Sequence, residues 1–436
     1  MMKKNRTIYF LLALVCLGLQ SCLFQEEDYF DDSSANRATA DVKRCSELLE
    51  AAPNGWVMEY YVGKDYSLGG ITLLCKFAGQ RVTMASQIAG ADETVSSLYS
   101  VKSEQATMLS FDTYNYLVHY FGQPQGSMAD DPNGTLGGDY EFVISDATAD
   151  RIELKGKKYG NRIVMKAFSA DQTWKQYLTR IKKVEDDAFF YEYDLRMDGL
   201  YTGQMLRSNY TFIVTYYDEV GKVYQKTVPF MFTTDGMRFH EPVTIDGQTM
   251  QNFVWKNEEI SFVCTDEGAT GVKMKGIYID GYQSYDYYPG TYLMDFYRLN
   301  GATNQLEVAS QEIQLVKNED GKSYWLKGLE YDILVTYDKP RGGLSILPQF
   351  LKKVQGGYVY LAMWDLMNDY VLRSSAIGLI SYPTTDGIYL VDNGVWMGEI
   401  SGFIFGVYDS QDEEASFMGY TDAVAAIRLI KKTIEE

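Results

Sequence analysis

Histidine, proline and cysteine are scarce in this chain of 436 residues, at two, nine and five copies. With His119 and His240 far apart as the only histidines, there is no HExxH helix and no ligand pair for a conventional zinc protease. GxSxG, the P-loop and a GxGxxG opening a helix are all missing, which removes the common hydrolase, nucleotide-hydrolysing and dinucleotide-binding readings. Beyond residue 22 the cysteines are Cys45, Cys75 and Cys264, an odd, widely spaced set. They form no disulfide framework or CxxC metal site, and each is expected to be a small buried hydrophobe. Cations are short as well. Forty Lys and Arg against 59 Asp and Glu leave a net charge of −19, and such a surface repels a phosphate backbone, so nucleic acid is excluded as a partner. No apolar run reaches the roughly 20 residues of a bilayer-spanning helix. What the chain has in quantity is tyrosine, 36 copies, within 14% aromatic and 46% hydrophobic residues. That composition supports a buried core and favours strands.

The N-terminus reads as a processing signal. Lys3, Lys4 and Arg6 precede the apolar run Ile8 to Leu19, too short to span a membrane and typical of secretion. The run ends in Leu19-Gln20-Ser21-Cys22, which resembles the bacterial lipobox, with Gln20 departing from the small or apolar residue usual there. By that resemblance cleavage follows Ser21 and Cys22 carries the lipid, whose acyl chains contribute about 0.8 kcal/mol per buried methylene. The acidic stretch Glu26-Glu27-Asp28 and Asp31-Asp32 fits two readings: a solvated tether, or a signal resembling the one that exports some lipoproteins to the outer face of the outer membrane. The leaflet stays open.

Ala35, Ala38, Val42, Cys45, Leu49 and Ala52 recur at steps of three and four, which predicts an amphipathic helix over 33–52, stopped by Pro53-Asn54-Gly55. Short strand-like runs separated by turn residues follow, with helical stretches at 113–121 and 173–183. Regular short strands predict closed barrels or sandwiches, because closure removes exposed edges. A break at 266–271 separates a further series of strand runs, and the tail 423–432 fits a strand or a helix. The expected organisation is a signal peptide (1–21), an acidic tether (22–32), an N-terminal β-rich domain (33–268, with a subdivision near 186) and a C-terminal β-rich domain (269–436). The fold class is mainly β: two, or with that subdivision three, antiparallel barrel- or sandwich-like domains with one N-terminal amphipathic helix and a few short helices.

Three segments carry a family resemblance besides the lipobox and tether. They are Ala52-Pro53-Asn54-Gly55-Trp56-Val57-Met58-Glu59-Tyr60-Tyr61, Phe111-Asp112-Thr113-Tyr114-Asn115 and Leu154-Lys155-Gly156-Lys157-Lys158-Tyr159-Gly160-Asn161-Arg162. Together they resemble the domain of unknown function 4302 group of bacterial lipoproteins, over roughly residues 20 to 265. The resemblance implies a secreted lipoprotein associated with starch-utilisation-type outer-membrane uptake systems. It implies no catalytic residues.

His119, in Leu117-Val118-His119-Tyr120-Phe121, is expected to pack or cap a helix, and His240 to lie on a strand opposite Phe239 in a surface or cross-strand pair. The oxygen-rich turns 130–135 and 318–321 lack calcium-loop spacing and read as solvated turns. Trp364 and Trp396 are expected in cores. The most suggestive cluster is Tyr278, Asp280, Tyr282, Tyr285, Asp286, Tyr287, Tyr288 and Tyr292. Tyrosine rings stack on sugar faces or peptide groups while hydroxyls and carboxylates supply hydrogen bonds. The same pattern would also serve an aromatic interdomain seam. The expected function is a lipid-anchored envelope protein, without cofactor or metal, that binds a glycan, peptide or partner protein near an outer-membrane transporter. The alternatives are a carboxylate-dependent hydrolase of polymer fragments, with two acids about 5–9.5 Å apart, and a purely structural envelope component. If Cys22 is acylated, cells fed a tagged palmitate will label the wild-type protein and leave Cys22→Ser unlabelled; equal labelling of the two would overturn the assignment.

Overall fold

The computed structural model describes residues 33–124, 135–217, 220–412 and 414–432. Cys22, the signal run, the acidic tether and nearly all of the turn 130–135 lie outside them. The described chain is mainly antiparallel β, in three closed units in chain order.

The first unit is an eight-stranded barrel running from Trp56–Val62 to Arg162–Ala167, closed where these two strands pair. Alternation builds its interior. In Arg151–Gly156, Ile152 and Leu154 point inward while Arg151 and Glu153 face out. The helix Ser34–Ala51 packs on this barrel through Cys45, Leu49 and the following Ala52. Ser33 caps it by accepting from the Asn36 amide at 3.2 Å. The buried Trp56 indole donates to the Leu49 carbonyl at 2.9 Å, tying the helix end to the core. The stretch expected to be helical at 113–121 contains the helix Tyr116–His119, where the Asn115 amide donates to His119 Nδ1 at 3.1 Å and the imidazole stacks on Tyr140. Cys45, Cys75 and Cys264 are buried free thiols.

A third helix, Trp174–Asp187, begins with a reciprocal capping box between Thr173 and Gln176. It joins two cores: Leu178 packs with Leu74, Ala85 and Phe168, while Ile181 and Val184 enter the second barrel's core. That barrel has eight strands between Glu192–Met197 and Val272–Ile277, and these two pair to close it. The turn at 266–271, expected as a domain break, is instead the connection between the barrel's last two strands, Ser261–Cys264 and Val272–Ile277, which pair with each other. A turn between paired strands and a turn between domains carry the same residues; only the partner of the next strand tells them apart.

The third unit is a twelve-stranded sheet whose first strand, Gly290–Asn300, pairs with its last, Phe417–Lys431, so that eight strands form a ring. The tail left open between helix and strand is therefore a strand. Gly402–Tyr408, Gly357–Asp365 and Gln349–Val354 extend the sheet beyond the ring. One face of the first two delivers Phe403, Phe405, Leu361 and Met363 to the main core, and the other buries Trp364, Ala362 and Ile404 in a satellite cluster.

The first two barrels approach closely at Gly69, which has φ +72°; a Cβ there would stand 2.0 Å from the Tyr210 carbonyl oxygen. A left-handed conformation alone costs a residue with a side chain about 1–3 kcal/mol. Gly69→Ala should destabilise the protein by at least that amount in chemical denaturation; an unchanged midpoint would refute the close approach.

Candidate functional site

The tyrosine-rich segment 278–289 links the closing strand of the second barrel to the first strand of the third unit. The structure divides its residues among three environments. Tyr288 and Tyr292, at 1% and 0% exposure, belong to the third core. Tyr288 donates to the Gly342 carbonyl at 2.8 Å and Tyr292 to the Tyr288 carbonyl at 2.7 Å. Tyr285 stacks on Tyr324 and donates to the Ser323 carbonyl at 2.8 Å. Tyr278 and Tyr282 form a seam against the second barrel, Tyr278 edge-on to Phe190 at 5.0 Å and Tyr282 stacked with Phe189 at 6.0 Å. Asp280, Asp286 and Tyr287 are exposed, and so in part is Tyr278, at 45%; Asp286 pairs with Lys317, and the Lys431 ammonium lies over the Tyr287 ring. The eight residues therefore do not form one open binding face. Burial raises the phenols of Tyr282, Tyr288 and Tyr292, so they remain protonated; Tyr288 and Tyr292 donate, while Tyr282 accepts from Tyr337 at 3.1 Å.

The seam backs a cavity of about 490 Å³ where the helix Trp174–Asp187, the second barrel and the third unit meet. The helix ends at Asp187, and the chain turns through Phe189, Phe190 and Tyr191 into the strand Glu192–Met197. Alternation sends Phe190 into the second core and leaves Tyr191 outside, 54% exposed. Phe189 lies between them, stacked on Phe190 and covered by the Lys339 ammonium at 5.1 Å.

Fixed polar groups surround these rings. Lys339 donates to the Asp186 carbonyl at 2.7 Å and pairs with its carboxylate at 3.2 Å, bridging the third unit to the helix. Arg207 donates to the carbonyls of Ala188 and Asn209, both at 2.9 Å. Lys182 donates to the carbonyls of Gln87 and Ala89 in the first barrel. Glu185 accepts from Tyr210 at 2.7 Å and lies 3.9 Å from Arg207. With Lys322, four cations and two carboxylates line the cavity in a chain of net charge −19. Aromatic faces beside anchored donors suit a hydroxylated or anionic ligand.

The other sequence candidates are structural. Trp364 is buried, and Trp396 donates to Asp365 at 3.0 Å. In the turn 318–321, Asp320 is already the acceptor for the amides of Lys322 and Ser323 and for the Ser323 hydroxyl. Among the described residues no group of three or more His, Cys, Asp or Glu is placed to hold a metal. Sequence reading missed Phe189, Tyr191, Arg207 and Lys339 as site residues. Three consecutive aromatics directly after a helix end were the available signal; nothing local marks Arg207 or Lys339.

Residues 26–257 match a family described as a domain of unknown function (DUF4302), and residues 265–404 match a second domain of unknown function (DUF4987). The gap between the two matches falls inside the second barrel. No curated protein matches the chain. One solved structure it resembles is a protein of unknown function from the DUF3598 family of Nostoc punctiforme. The likeness has 7% identity, 57% coverage of this chain and 99% of that one, and a TM-score of 0.15, too low to carry an argument.

Because Tyr288 acts in the core, Tyr288→Phe should leave the Gly342 carbonyl without its donor and cost about 1–3 kcal/mol in denaturant unfolding. Full stability in that variant would contradict the assignment.

Proposed function

We propose, from the premise that this chain belongs to the DUF4302 family, that it is a lipid-anchored cell-envelope protein that binds a saccharide or similarly hydroxylated fragment without transforming it. The observation that carries this reading is the junction cavity, where the exposed Tyr191 ring stands among anchored cations. An exposed aromatic ring binds the apolar face of a sugar at low entropic cost, and fixed donors choose among its oxygens. Binding is favoured over hydrolysis by the engagement of both cavity carboxylates. Glu185 is the acceptor for Tyr210, and Asp186 is paired with Lys339, whereas a glycosidase needs two carboxyls free to act on substrate. The lipid on Cys22 would hold the body at the outer membrane, where a captured fragment can pass to a transporter.

The test is a glycan array followed by calorimetric titration of the full mature protein. A bound glycan is expected, with affinity falling about tenfold in Tyr191→Ala, the loss of one stacking contact, and no change in the unfolding midpoint. Failure to retain any glycan, or equal affinity in the variant, would overturn the reading.

A further inference from the structure

A second cleft, of about 250 Å³, opens between the first and second barrels. His240 lies in its wall. The neighbouring Phe239 points into the second core, so alternation turns His240 away from its own barrel and onto the first. There the imidazole sits between two rings, 4.3 Å from Tyr61 and 4.0 Å from Tyr66, centroid to centroid. This corrects the expected surface or cross-strand pairing: the partners come from another barrel.

The backbone is shaped around this cluster. Gly70 is the cross-strand partner of Tyr61, and a Cβ there would stand 2.7 Å from the Tyr61 ring. Asp65 and Tyr66 adopt left-handed φ values of 52° and 61°, an unfavourable conformation for either residue.

Arg151, Arg162 and Arg238 line the cleft against two carboxylates, Glu59 and Glu241. Glu59 is already satisfied, by Lys166 at 2.7 Å and by Arg238. Burial would raise its carboxyl, but the two cations hold it below the usual range. Glu153 engages one edge of Arg151 and part of Arg162. Burial lowers the imidazole of His240, which is therefore neutral at pH 7. Tyr61 is 3% exposed, and its hydroxyl is buried beside Arg238, whose guanidinium can only donate toward the phenol oxygen, so no acceptor takes the phenol proton. A buried donor left unpaired is uncommon and costly, and an acceptor oxygen would relieve it.

We propose that this cleft binds a small carboxylate, whose oxygens answer the guanidinium groups of the wall and the unclaimed proton of Tyr61. A planar carboxylate matches the guanidinium fork. The ring or chain behind it would lie against Tyr66 and His240. The site is separate from the junction cavity.

Calorimetric titration of the full mature protein with glucuronate tests the proposal, with glucose as the uncharged control and inorganic phosphate as the rival anion. Saturable glucuronate binding is expected, with phosphate weaker by about tenfold or more and no glucose binding that survives Tyr191→Ala, so that any glucose signal is assigned to the junction cavity. Tyr61→Phe should weaken glucuronate by about tenfold, the loss of a hydrogen bond to a charged group, while leaving the unfolding midpoint unchanged or higher. Arg162→Gln should weaken it similarly, and Tyr191→Ala should have no effect, so this site and the junction cavity fail separately. The proposal is overturned by absent glucuronate binding, by phosphate binding as tightly, or by unchanged affinity in Tyr61→Phe. A lowered midpoint with unchanged affinity would mark that hydroxyl as structural.

Discussion

An antiparallel strand at a sheet edge carries a row of N–H and C=O groups without partners, and this chain answers that constraint by closing its sheets. Each of the first two barrels closes when its last strand pairs with its first. The third unit closes by pairing Gly290–Asn300 with Phe417–Lys431, and the long final strand also supports the strands that extend the sheet. Closure dictates the side-chain pattern. A strand of a closed ring has an inside, which takes the apolar residues, and an outside that is free to carry the abundant acids, whereas Gly357–Asp365 and Gly402–Tyr408, beyond the ring, bury both faces.

The closed rings have no edges to offer one another, and the open edge of the third unit, Gln349–Val354, pairs only with Gly357–Asp365, so the units are joined by close contacts and side chains. The contacts are local and varied: Gly69 against the Tyr210 backbone, Arg238 on Glu59, Lys182 on the carbonyls of Gln87 and Ala89, Lys339 on Asp186, and Tyr282 on Phe189. Convex bodies touching at a few points leave gaps beside each contact. Both the junction cavity and the inter-barrel cleft are such gaps, which places the candidate sites between units, with barrel interiors kept for packing. In the cleft, the Glu59–Arg238 pair both joins two barrels and forms part of a wall.

Tyrosine serves each of these purposes according to where closure leaves it. Tyr292 is a core residue with a satisfied hydroxyl, Tyr282 is mortar between units, Tyr191 is an exposed face, and Tyr61 is a buried ring with an unspent donor. A run of tyrosines is thus ambiguous in sequence. Tyr285, Tyr287 and Tyr288 stand close along the chain, yet one stacks on Tyr324, one lies in the open under Lys431 and one is sealed in the core.

Much of the architecture was legible because it is local. The helix stripe from Ala35 to Ala52, its stop at Pro53-Asn54-Gly55, the short strand-like runs and the family segments around Trp56 and Tyr159 each depend on neighbours a few residues away. The β class and the preference for closed units follow from such patterns. The partner of a strand does not, because pairing is chosen across long stretches of chain. For that reason the turn at 266–271 read as a boundary when it joins two strands of one barrel, and the tail read two ways until Gly290–Asn300 claimed it. The sites lie further still from sequence. His240 meets Tyr61, and Lys339 meets Phe189, only because separately closed barrels come to rest against each other, and no local pattern encodes which convex surfaces will touch.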